Sequence, residues 1–385
     1  LGLREHTMNM DQLIKTAYER ARVEPIPNES FREGLAVLLK DINASSKVTE
    51  QGLAILEEEI IGYLASRLQV DDYVRQHPEL LEVPMEKPVV VLGMPRSGTT
   101  LLSYLLAADP ARRSILRWQL SNPVPPAAPE HLYDDPRCLA MKEADAQSVD
   151  TSRKDLHYEP ADGATECVFA QAQEFKSTYW ESHVSMPNYS RFMLECDMTS
   201  AYAYHKRFLQ VLQNGAAASW NLKMPSHALH IRWLLKTYPD ARILWTHRDP
   251  YKVTGSLCSL ISNAHNVYMG APDIEFLASN YPGQLAEHVR RLMTVKDQLG
   301  EDRIGDVSYA SLTVNPIDEM RRIYDYLGDD FTPEAEAGMR TWLEENPQGK
   351  FGSHKYTLEQ FGLSKKTLEP YYADYLARFD IEPEG

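Results

Sequence analysis

Two clusters of residues in this chain carry the chemistry of anion binding. The first is Gly93-Met-Pro-Arg-Ser-Gly98-Thr-Thr100, which follows the β-branched run Pro88-Val-Val-Val-Leu-Gly93. A strand that turns into a helix through such a loop gathers backbone N–H groups and hydroxyls at the helix N-terminus, where a phosphate-like anion binds. The two glycines have the spacing of a nucleotide-binding P-loop, but Thr99 stands where that motif requires lysine, and Arg96 lies inside the loop. ATP hydrolysis is therefore poorly supported. The bland alternative is a plain Gly/Ser turn, and the strand–loop–helix context speaks against it.

The second cluster lies downstream. Lys223-Met-Pro-Ser-His227 closes one predicted strand, and the next, Arg242 to Thr246, delivers His247-Arg248-Asp249-Pro250. Ser256 follows eight positions after Arg248. An arginine and a serine at the carboxyl edge of a parallel sheet are suited to grip a second phosphate by charge and hydroxyl donation. His247-Arg248-Asp249 superficially matches a protein-kinase catalytic loop, but Thr254 occupies the position where that loop needs asparagine.

The elements that must position these residues read as α/β. Strand candidates at 88–93, 220–224, 243–246 and 306–309 alternate with helical stretches at 98–107, 227–236, 254–261 and 316–327. That alternation predicts a P-loop-like parallel β-sheet flanked by helices. Residues 9–85 read as helical, with a capping-box pattern at Ser30 and Glu33 and a second helix starting at Thr49. We therefore expect an N-terminal helical segment, 1–85, packed on an α/β domain, 86–385. The stretch Asn263 to Pro282, rich in loop formers, is the expected lid.

The order PRSGTT, LKxPxH, then RDP with a serine eight residues past its arginine, then Tyr309-Ala-Ser-Leu, resembles the sulfotransferases that use 3′-phosphoadenosine-5′-phosphosulfate (PAPS). It is similar in kind to the cytosolic and tyrosylprotein enzymes. It is closer still to a bacterial branch with text like Ser30-Phe-Arg-Glu-Gly-Leu35 and His354-Lys-Tyr-Thr-Leu-Glu-Gln-Phe-Gly-Leu363. The resemblance implies that Arg96, Ser97, Gly98, Thr99 and Thr100 hold the 5′-phosphosulfate. It implies that Arg248 and Ser256 bind the 3′-phosphate, that Tyr309 lies near the adenine, and that Lys350, His354 and Lys355 close over the 3′-phosphate.

Sulfuryl transfer, by analogy with phosphoryl transfer, passes through a loose in-line transition state with charge growing on the leaving phosphate oxygen. Arg96 and Lys223 are the cations expected to stabilise it, and no metal is required. The ordinary alternative for Lys223 is an exposed strand-end lysine. The general base is ambiguous, because the family pattern has an acidic residue after the tryptophan where this chain has Trp118-Gln119. Glu166, His227 and His157 are the remaining candidates, with Glu166 first; each also has a plain reading as a helix-start carboxylate, a cap or a loop histidine.

Between Phe169 and Tyr204 lie eight aromatic residues that either line an apolar acceptor pocket or are simply core. The pocket reading implies a hydrophobic small-molecule or lipid-like acceptor with a hydroxyl or amine. Forty basic against 55 acidic residues, a net charge of −15, argue against a general nucleic-acid binder. Four scattered cysteines without a CxxC pair give neither a disulfide framework nor a zinc motif. LGLREHTMNM lacks a signal-peptide core and no stretch approaches the ~20 apolar residues of a membrane span, so a cytoplasmic protein is expected. The competing functions are a P-loop nucleotide kinase or NTPase, and a non-catalytic phosphonucleotide-binding protein.

Overall fold

The computed structural model describes residues 7–147, 159–216, 218–347, 356–381 and 384. Five parallel strands form one sheet: β1 (Val89–Gly93), β2 (Arg113–Ser114), β3 (Trp220–Lys223), β4 (Arg242–His247) and β5 (Ile304–Ser308), in the order β2-β3-β1-β4-β5. β1 is central and wholly buried, which explains a sequence that is apolar without alternation. Side chains on successive positions face opposite sides, so Val90 and Leu92 join one core cluster with Ile243 and Trp245, while Val89 and Val91 join another with Leu244 and Val307.

Twelve helices matter for the site and are labelled here in chain order. Three precede the sheet: α1 (Met10–Ala21), α2 (Phe31–Ala44) and α3 (Glu50–Gln76). Their apolar faces, with Leu13, Leu35 and Leu56, belong to the same core cluster as Val90. A fully buried guanidinium, Arg67 on α3, fastens them further. It sits between the Phe31 and Tyr204 rings and pairs with Glu174 at 2.9 Å and with Asp71. Thr49 caps α3 through Gly52 N at 2.9 Å, as the sequence predicts. Ser30 does not form the expected capping box: its backbone is helical, and its hydroxyl accepts from Arg67 Nη2 at 3.0 Å instead.

α4 (Thr99–Ala107) leaves the first anion loop. α5 (Cys167–Ala172), α6 (Thr178–Glu181), α7 (Pro187–Glu195) and α8 (Thr199–Gln213) precede β3. α9 (Pro250–Met269) follows β4, and is much longer than the 254–261 read from the sequence. Asp249 Oδ1 accepts from Tyr251 N at 2.8 Å and Pro250 takes the first helical position, so the Asp-Pro pair starts the helix. α10 (Ile274–Leu299) begins four residues after Gly270 and carries Pro282 in its interior. The expected lid at 263–282 is therefore the end of one helix, a short turn and the start of another. α11 (Pro316–Leu327) ends at Gly328, whose φ of 67° is left-handed, and α12 (Lys365–Phe379) packs against β4 through Tyr375 and Phe379. Among the described residues no helix is long and apolar enough to cross a membrane.

Candidate active site

The loop after β1 is shaped by its own side chains. Ser97 is fully buried, donates to Met94 O at 2.6 Å and meets Thr246 Oγ1 on β4 at 2.6 Å. Its hydroxyl is thus spent on the loop, so only its backbone is left to face a ligand. Arg96 takes a left-handed φ of 68°, uncommon for a residue with a side chain. Gly98 has φ 96°, and a Cβ there would lie 2.7 Å from the Tyr309 ring, so only glycine fits.

Arg96, Arg248, Ser256 and Tyr309 are brought together as the sequence expects. Arg96 Nε donates to Ser256 Oγ at 3.1 Å, and Arg248 Nη1 donates to Arg96 O at 3.0 Å. The Arg248 guanidinium lies over the Tyr309 ring, 4.1 Å from its centre. Burial, followed by the neighbouring charge of Arg248, lowers the pKa of Arg96. Two guanidiniums held this close favour an anion between them. Arg96 forms no ion pair among the described residues, whereas Arg248 holds Glu384 in a bidentate grip at 2.8 and 3.0 Å. Burial lowers the Arg248 pKa, but Glu384 together with Tyr309 and Tyr356 more than compensates, and the net shift is upward. No motif points to this carboxylate, which lies 136 positions away. Lys350, His354 and Lys355, like His157, fall outside the described residues.

Lys223, at the end of β3, is not an exposed strand-end lysine: it is 2% exposed. Its ammonium pairs with Glu166 Oε1 and lies 3.5 Å from Thr100 Oγ1. Glu166 immediately precedes α5, where a carboxylate is favoured by the helix dipole, which is its plain reading. Thr99 and Thr100 open α4 and face the same space.

A cavity of about 630 Å³ reaches Arg96, Thr99, Thr100, Glu166 and Arg248, and Lys223 lies behind it, against Glu166 and Thr100. Arg96, Thr100, Glu166, Arg248 and Tyr309 line it beside the loop 93–100, and α9 supplies an apolar wall through Leu257, Leu260, Ile261, Ala264 and Val267. Of the aromatic run, Phe169 and Tyr179 reach the cavity, whereas Phe175, Trp180, Tyr189, Tyr202 and Tyr204 are buried core. His227 is a correction. It is fully buried, is not among the lining residues although Pro225 and Ser226 are, and its Nδ1 meets Tyr202 OH at 2.8 Å. Burial holds its pKa well below the usual histidine range.

Several lining residues were invisible in the sequence because they come from separate helices. Glu59 on α3 accepts from Tyr268 OH at 2.9 Å and stands 3.2 Å from His183 Nε2. His183 Nδ1 lies 2.8 Å from Tyr179 O, and since a carbonyl only accepts, that nitrogen carries a proton. Glu181, Gln284 and His288 form another polar group on the same cavity.

One set of side chains has the atom types of a metal site. Cys167, His205 and His227 are all buried and offer ligand atoms within 4.8 Å of one another. Burial pushes the Cys167 thiol up to about 12, away from the thiolate a metal requires.

Two converging arginines at a strand-edge loop, a buried lysine–glutamate pair and an apolar chamber suit an α/β transferase that handles an anionic group. The model of the sulfotransferase family matches residues 88–333, and the chain belongs to that family. It is similar to the crystal structure of sulfotransferase STF9 from Mycobacterium avium, at 42% identity with 99% of each chain covered and a TM-score of 0.93. Sulfotransferase STF1 from Mycobacterium tuberculosis H37Rv is 26% identical, covering 96% of this chain and 100% of the other, with a TM-score of 0.85. Among characterised relatives is the omega-hydroxy-beta-dihydromenaquinone-9 sulfotransferase Stf3 of Mycobacterium bovis. It is 23% identical over 306 residues, 77% of this chain and 76% of the relative. The kinase and NTPase alternatives, already weakened by Thr99 in place of a lysine, are set aside.

Proposed function

We propose that this sulfotransferase moves a sulfuryl group from PAPS to a hydroxyl or amine of a hydrophobic small-molecule or lipid-like acceptor. The observation that carries this reading is the convergence of Arg96 and Arg248 on one cavity that continues along the apolar α9 wall, with the buried Lys223 ammonium just behind two of its lining residues, Glu166 and Thr100. The donor supplies an activated sulfuryl group on a phosphate leaving group. The loop 93–100 and the N-terminus of α4 receive its 5′ end, and Gly98 leaves room for Tyr309 beside them. Arg248 and Ser256 take the 3′-phosphate, and Glu384 yields its place on Arg248 to that phosphate.

Lys223 and Arg96 stabilise the negative charge that develops on the leaving phosphate oxygen as its bond to sulfur breaks. Glu166 takes the proton of the acceptor hydroxyl as the new O–S bond forms. It pairs with Lys223 within the same site, so one ion pair supplies both the base and the electrostatic stabiliser. The lipid-like acceptor is supported by the α9 wall and by a relative whose name gives a menaquinone acceptor.

The test is incubation with ³⁵S-labelled PAPS and a panel of alcohols, phenols and amines, with products separated by chromatography. We expect label in the organic product for hydrophobic acceptors, and loss of that label in Glu166→Gln. Binding of PAPS without transfer to any acceptor would leave the non-catalytic alternative standing.

A further inference from the structure

The cavity has a direction, and α9 measures it. At one end Ser256 accepts from Arg96 Nε at 3.1 Å, and Arg96 in turn lies within reach of the Glu166 charge, so the reacting groups gather there. From that end the lining residues of α9 are Leu257, Leu260, Ile261, Ala264, Val267 and Tyr268, a stripe on one face of the helix. Leu257 and Val267 are ten positions apart. A rise of ~1.5 Å per residue makes that stretch about 15 Å long, the span of an extended chain of about twelve carbons.

A second wall follows the same course. Phe169 N donates to Glu166 O at 3.3 Å, and rings then succeed one another: Phe169 to Tyr179 at 5.4 Å, Tyr179 to His183 at 4.5 Å and His183 to Tyr268 at 4.6 Å between centres. Both walls start beside the reacting groups and meet at Tyr268, at the other end of α9. The polar atoms there are spent on one another. Tyr268 OH donates to Glu59 Oε1 at 2.9 Å, and His183 Nε2 stands 3.2 Å from Glu59 Oε2. At this end the wall also reaches solvent. Leu257 and Ile261 are 7% and 3% exposed, whereas Val267 is 43% exposed. Of the large apolar side chains exposed among the described residues, Val267 alone lines the cavity.

Resting on the sulfotransferase reading, we propose that the acceptor chamber is an open-ended channel for a single-chain lipid alcohol. The hydroxyl reacts beside Glu166 and Lys223, about twelve carbons lie along α9, and the rest of the tail leaves beside Val267. The channel then sets a minimum chain length for full recognition and no maximum. Ala264, the smallest side chain of the stripe and three positions before Val267, keeps the path clear.

The test measures kcat/KM with labelled PAPS for 1-alkanols from six to twenty carbons, delivered from cyclodextrin. Calorimetry with adenosine 3′,5′-bisphosphate reports the nucleotide site separately. The expected profile climbs about two- to fourfold per methylene up to about twelve carbons and then stays level. In Val267→Trp, which stoppers the outlet, the level part becomes a decline beyond about twelve carbons. In Ala264→Phe the climb stops at about eight carbons, the reach from Leu257 to Ala264. Each reading is a ratio between long and short acceptors within one protein, so a general loss of activity does not imitate it. A wild-type profile that falls beyond an optimum shows a closed chamber and overturns the proposal, as does one indifferent to length or one that neither substitution alters. If the nucleotide binds but no alcohol of any length reacts, the channel is refuted and the nucleotide site stands. If the nucleotide itself does not bind, the sulfotransferase reading and this inference fall together.

Discussion

Replacing Lys223 with methionine keeps most of the stem packed at the end of β3 and removes one charge. In the structure that charge sits 2% exposed, beside Thr100 and paired with Glu166. A unit charge about 4 Å from a developing negative charge contributes about 4 kcal/mol at an effective dielectric constant of 20. Measured losses of a single transition-state donor run from about 2.7 to 4 kcal/mol, or about 10²- to 10³-fold in turnover. The two figures agree, so Lys223→Met is expected to lose turnover by about that factor. Folding should suffer less, because Glu166 keeps partial solvent access and its carboxylate can be hydrated; a drop of a few degrees in Tm is expected. Single-turnover release of adenosine 3′,5′-bisphosphate from PAPS measures the chemical step, and calorimetry measures nucleotide affinity. If Glu166 and Lys223 act on one transition state, the double variant with Glu166→Gln loses less than the product of the single losses. Turnover within about threefold of wild type, or a loss explained wholly by weaker nucleotide binding, would refute the assignment.

Three further outcomes are expected. Glu384→Gln removes the carboxylate that competes for Arg248, and calorimetry should show adenosine 3′,5′-bisphosphate binding roughly two- to fivefold tighter, the scale of a partly exposed ion pair; unchanged or weaker binding would place the 3′-phosphate elsewhere. Gly52→Ala puts a Cβ 2.0 Å from Tyr268 O, so α3 and α9 must separate, and urea denaturation should show a loss of about 1–3 kcal/mol. Acid should destabilise the fold early: burial lowers His205 and His230 to about 3 and His265 and His288 to about 4, against 6.5 for the ordinary side chain. The unfolded chain protonates these groups below 6.5 and the folded chain does not, so their stabilisation is complete above that pH and is lost as pH falls. Glu181, raised to about 7, runs the other way and offsets one of the four. Burial also lowers His227 and His247, so the unfolded chain binds several more protons than the folded one below about pH 6, each net proton contributing about 1.4 kcal/mol per pH unit, and a denaturation midpoint that stays flat from pH 7 to 5 would contradict these burials.

What the sequence disclosed was local. β1 and its loop were legible because a central parallel strand is apolar on both faces and because the turn into α4 needs glycine at position 98. The Arg248–Ser256 pair was legible through the Asp-Pro helix start between them, although the length of α9 was not: Asn263 and Asn266 read as loop formers but lie within the helix. Ser97 matched the motif by type, yet its hydroxyl faces Thr246, a contact 149 positions apart that spacing cannot show. His227 stood beside the right strand edge, but burial turned it toward Tyr202 instead of the cavity. Glu59, Glu181, His288 and Glu384 were hidden for one reason. Each reaches the cavity or Arg248 only through tertiary packing of distant elements, and none sits in a motif of its own.

The most direct measurement of the central claim is a pair of calorimetric titrations, with adenosine 3′,5′-bisphosphate and with ADP, on the wild-type protein and on Arg248→Ala. Charge-assisted hydrogen bonds from Arg248 and Ser256 to a 3′-phosphate predict about 100-fold tighter binding of the bisphosphate, and a ratio near one once Arg248 is gone. Indistinguishable affinities in the wild-type protein, or a preference untouched by the substitution, would contradict a 3′-phosphate site at Arg248.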